Sequence, residues 1–71
     1  MNKLFDCKIV VDEKIESLGV ICAKTTDHAM IILEKEFINK GYTLIKNDIH
    51  LTAIGFAFEN VRLGFVINNL L

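Results

Sequence analysis

Proline and tryptophan are absent, arginine occurs only at Arg62, and cysteine only at Cys7 and Cys22. Each scarcity narrows the possibilities. With no proline, repeat or low-complexity tract, nothing marks a linker, and residues 1–71 are expected to form a single domain. One arginine and seven lysines, spread singly in a chain of net charge −1, build no basic stripe for tracking phosphates, so nucleic acid is not an expected partner. The cysteines form no Cys-x-x-Cys pair. They read as two small buried hydrophobes in a reduced, intracellular chain. The glycines stand apart at positions 19, 41, 55 and 64 and make no phosphate-cradling loop.

Catalytic and metal-binding patterns are equally thin. His28 and His50, the two histidines, share no ligand-like spacing with the cysteines. Asp12, Glu13 and Glu16 cluster around Lys14 as a solvated loop does, without the regular oxygen spacing of a calcium site. No nucleophile, base and orienting group can be assembled. The expectation is a chain that is not an enzyme and carries neither cofactor nor metal.

Long hydrophobic runs are missing too. The longest uncharged apolar stretch, Leu51–Phe58, falls far short of the roughly 20 residues that a membrane-spanning helix needs. Near the N-terminus, Lys3 is followed only by Leu4 and Phe5 before Asp6 interrupts, which is no signal-peptide core. A cytoplasmic protein without membrane contact is expected. Abundant Ile, Asn and Lys beside a single Arg point, through codon bias, to an AT-rich bacterial or phage genome.

What the chain does have is apolar mass: 52% of its residues are hydrophobic, against the roughly 45–50% usual in globular domains. A chain this short buries only about 60% of its unfolded surface. The excess predicts apolar surface shared between copies, and hence a homo-oligomer.

The patterning predicts an α+β fold: a two-layer β-β-α-β-β domain whose antiparallel sheet packs on one helix. Leu4–Val11 alternates, with Phe5, Cys7, Ile9 and Val11 on one face. Asp12–Ser17 reads as a loop and Leu18–Ala23 as a second strand. Pairing them about that loop sets Val11 against Leu18, Ile9 against Val20 and Cys7 against Cys22, all on one face. Thr25-Thr26-Asp27 opens a helix that runs to about Lys40 and ends at Gly41. Tyr42–Lys46 leaves room for a further short strand before an Asn47-Asp48 turn. Ile49–Phe58 and Val61–Ile67 read as a hairpin around Glu59-Asn60, with Phe56 opposite Leu63. The last segment also fits helical spacing, but Gly64 and its β-branched residues favour strand.

On the helix, Ala29, Met30, Leu33 and Phe37 make the stripe that one sheet needs. Ile31 and Ile38, with Glu34 beside them, and Ile32 on the polar side exceed that need. These four residues are the expected interface, most simply with a second copy of the chain. An exposed sheet edge that recruits its partner by strand addition is the competing site.

Over the first forty or so residues, strand, strand and a helix opening Thr25-Thr26-Asp27-His28-Ala29 resembles the small ββα-type antitoxin domains that cap toxin partners. The short chain without catalytic residues also resembles small phage-encoded inhibitors in style. The resulting expectation is a small non-catalytic module that self-associates and binds or inhibits another macromolecule, another protein being the favoured partner. Two other classes stay open: a nucleic-acid-associated regulator, and a small oligomeric enzyme or ligand-binding protein with an intersubunit site.

Overall fold

The structure, a computed structural model, describes residues 1–43 and 48–70. Strands β1 (Lys3–Val11) and β2 (Lys14–Ala23), helix α1 (Thr26–Asn39), and strands β3 (Ile49–Phe56) and β4 (Gly64–Asn68) follow in that order. The strands form one antiparallel sheet in the order β3-β1-β2-β4, with α1 on one face. This is the expected two-layer α+β fold, with different strand pairings.

The first hairpin turns more tightly than expected. Asp12 and Glu13 both adopt positive φ, 50° and 65°, and Val11 pairs directly with Lys14. Two successive left-handed residues match the twist of a two-residue hairpin. The expected Asp12–Ser17 loop is therefore mostly strand. Shortening it moves the register by four residues, and a bulge between Cys7 and Lys8 moves it back by one, for a net shift of three. Cys7 lies opposite Gly19, and Cys22 lies opposite Leu4. An odd net shift exchanges faces. The expected Cys7–Cys22 pair is thus absent: Cys7 joins the core beneath the helix, while Cys22 is buried outside that cluster, with its Sγ 4.0 Å from the Val61 carbonyl oxygen.

Helix α1 follows its sequence signals closely. The Thr25 hydroxyl accepts from the His28 N–H at 3.1 Å, and Asp27 stands in the first turn. At the other end Gly41, φ 78°, donates to the Ile38 carbonyl at 3.1 Å, and Tyr42 N–H donates to the Phe37 carbonyl at 2.9 Å. This is the Schellman arrangement, and its usual hydrophobic clasp is present as an edge-to-face contact of the Phe37 and Tyr42 rings, 6.0 Å between centroids. Ala29, Leu33 and Phe37 are buried against Phe5, Cys7, Leu18, Ile21 and Ile49.

The second expected hairpin does not form. β3 pairs with β1 and β4 with β2, so the two strands occupy opposite edges of the sheet. Residues 57–63 cross between those edges, tied by Ala57 N–H to the Asn2 carbonyl at 2.9 Å and turned by Val61 N–H to the Phe58 carbonyl at 3.0 Å. Glu59-Asn60 does sit in a turn, but no ladder continues from it. Splitting the strands lets the β1–β2 hairpin use both of its edges and places Ile49 and, from the other side, Phe65 against the core. The segment from Gly64 is strand, as preferred over helix. Tyr42 and Thr43 lie outside any strand, and the rest of the predicted short strand and the start of the Asn47-Asp48 turn lie outside the described residues.

Candidate interaction surfaces

The helix surface holds two of its four predicted residues in the open. Ile31 is 48% and Ile38 73% exposed, two turns apart on one line. Glu34, on the turn between them, is half-buried. Ile32 departs from the expectation: it packs against the core. A helix on a twisted sheet covers more than one narrow stripe, so the residue read as surplus closes the flank of the core. Leu70 also packs on the core, yet Ile31 and Ile38 stay uncovered.

A second apolar surface lies at the β3 edge. Phe56 pairs with Lys3, and Ala57 bonds Asn2, so the segment from Phe56 to Phe58 runs beside the N-terminal residues. Ile54, Phe56 and Phe58 are 55%, 65% and 83% exposed. A hairpin of β3 with the last strand would set these three on one apolar face directed to the core; the observed pairing leaves them open. The sequence signal for this surface is the uncharged apolar stretch Leu51–Phe58, too short to span a membrane, which matters here as an undefended strand edge.

The third feature is a groove of about 470 Å³ at the end of the sheet near the helix C-terminus. Ile9, Leu18, Phe37 and Leu70 form its apolar walls, and Glu16, Tyr42 and Thr43 add polar atoms. The C-terminal residues beside it are latched to the helix: Asn68 Nδ2 donates to Glu36 Oε1 at 3.2 Å, and Lys40 Nζ donates to the Leu70 carbonyl at 3.3 Å. Lys40 also pairs with Glu36, one turn earlier on the helix, at 3.8 Å.

The chemistry-bearing residues do not converge. The face of the sheet away from the helix carries Asp6 and Lys8, paired at 3.4 Å. The His28 imidazole works locally, its Nδ1 accepting from the Lys24 N–H at 3.2 Å, and His50 stands exposed on β3. Burial pushes the Cys7 thiol from 9.0 up to about 12, with the Asp6 carboxylate adding to the effect. A thiol so shifted is a poor nucleophile at neutral pH. Among the described residues, no group of three or more His, Cys, Asp or Glu side chains is placed to hold a metal ion, and no helix is long and apolar enough to cross a membrane. The chain matches no protein-family model, and neither a curated protein nor a solved structure matches it.

Proposed function

We propose that this protein is a small non-catalytic interaction module that self-associates and binds, and thereby blocks, another protein. The observation that carries this reading is surface. The chain exposes 5116 Å², whereas a folded monomer of its 8.0 kDa exposes about 4,450 Å². The excess of about 670 Å² approaches the ~800 Å² that each partner buries in a standard interface. Large apolar side chains on the helix and at the β3 edge contribute to that exposed surface.

In this reading the helix line of Ile31 and Ile38, with Glu34 beside it, receives the second protein. Affinity capture with the tagged chain from its native host, followed by titration with the purified captured protein, tests it. A saturable complex weakened at least tenfold by Ile31→Lys with Ile38→Lys supports the reading. A complex indifferent to both substitutions, or capture of nucleic acid alone, contradicts it.

A second reading, a ligand-binding oligomer, draws support from the groove, whose volume lies within the ~300–1,000 Å³ of small-molecule sites. Saturable stabilisation of the fold by small apolar compounds, lost in Leu18→Trp, favours it over the first.

A further inference from the structure

We infer that the outer edge of β3 is where a second copy of this chain pairs, antiparallel across a two-fold axis, extending the sheet from four strands to eight. The inference rests on the self-association just proposed and gives it a location.

Natural sheets defend long edges with lysine, proline, inward charge, shortening or a cover. β3 spans eight residues, Ile49–Phe56, and contains no Lys, Arg, Asp, Glu or Pro. Among the described residues, no strand pairs with its outer side. The other edge is better defended: β4 has five residues, its pairing is interrupted by a register shift, and Asn68 at its end is bound to Glu36. β3 also carries an irregularity, opposite Leu4 and Phe5, but Ile49–Ala53 remains in unbroken register with β1. That regular run is the part that can accept a new strand.

The chemistry of the run favours its own copy. Antiparallel pairing about a two-fold axis near Leu51 sets His50 beside the second copy's Thr52, and Ile49 beside its Ala53, so no like charges of the carboxylate or ammonium kind are opposed. Ile54 and Phe56 continue the strand and remain more than half exposed, leaving apolar surface for the second copy to cover. Ile54 and Phe56 contribute part of the chain's excess surface, which a second copy on this edge would reduce. The helix line offers less for a symmetric contact, because Ile32 has gone into the core and Glu34 lies between the two exposed isoleucines.

The test is sedimentation velocity and light scattering across micromolar to millimolar concentration, on the wild type, Thr52→Lys, Thr52→Lys with Ile54→Lys, and Ile31→Lys with Ile38→Lys. The wild type is expected at twice the 8.0 kDa chain mass. Each β3 variant should shift towards the monomer at least tenfold in dissociation constant, while the helix variant stays dimeric. Circular dichroism identifies any variant that has lost its fold. Amide exchange provides a reading on the unaltered chain: β3 amides should gain protection with concentration while β4 amides do not. A wild-type monomer throughout overturns self-association itself. A dimer that survives the β3 lysines, or shows no concentration-dependent protection in β3, overturns only the location.

Discussion

Gly19 leaves empty the space that the Ile67 carbonyl occupies. It sits in β2 at φ 124°, and a methyl group there would overlap the backbone oxygen and carbon of Ile67 in β4. The contact explains how β4 lies so close beside β2, with Gly19 paired to Asn68 and Asn69 N–H donating to the Leu18 carbonyl at 3.0 Å. Gly19→Ala is expected to cost at least about 2 kcal/mol, because an unfavourable φ and a backbone overlap add. A lowered melting temperature with selective loss of exchange protection in β4 checks this. An unchanged β4 would mean that the close approach is dispensable.

Cys7 ties stability to alkaline pH. Its folded-state value of about 12 lies above the ordinary 9.0. Below pH 9 the thiol is protonated whether the chain is folded or not, and its contribution is complete. Between pH 9 and 12 only the unfolded chain loses the proton, so stability falls by up to about 1.4 kcal/mol per pH unit. Chemical denaturation at stepped alkaline pH should show this slope, and Cys7→Ala should reduce it. In the native state at neutral pH, alkylation of both cysteines should await unfolding, because both are buried. Rapid labelling of either one would contradict that burial.

The helix start gives a graded prediction. Thr25→Ala removes the acceptor for the His28 N–H and should cost about 1 kcal/mol. His28→Ala removes the acceptor for the Lys24 N–H and should cost about 0.5–1 kcal/mol. His50→Ala, on an exposed strand position, should stay within about 0.5 kcal/mol. Equal effects at the two histidines would refute the local role of His28.

Leu33 tests the core itself. It is fully buried in the middle of the helix stripe. Leu33→Ala should destabilise by about 2–5 kcal/mol through lost burial and a residual cavity. Ile38→Ala, at an open position on the same helix, should cost far less in the monomer, so the comparison of melting curves separates core from surface.

Local sequence determined the elements of this protein, and the tertiary structure determined their partners. The Phe5-Cys7-Ile9 alternation, the Thr25 cap, the Ala29-Leu33-Phe37 stripe and the Gly41 stop are all legible because each acts through neighbours within a few residues. Register was not legible. Asp12-Glu13 is an unusual pair for a left-handed two-residue turn, so the turn reads as part of a longer loop. The bulge between Cys7 and Lys8, which carries no local signal, is what puts Cys22 on the other face. The separation of β3 from β4 was hidden for a different reason. Phe56 and Leu63 alternate as well for a hairpin as for two edge strands, and only competition for the free sides of β1 and β2 decides between them. The same competition left Ile54 and Phe56 at an undefended edge, while the breadth of the sheet under the helix turned Ile32 inward. Charge-free composition is written in the sequence, but whether a strand stands at an edge depends on which strands have already paired.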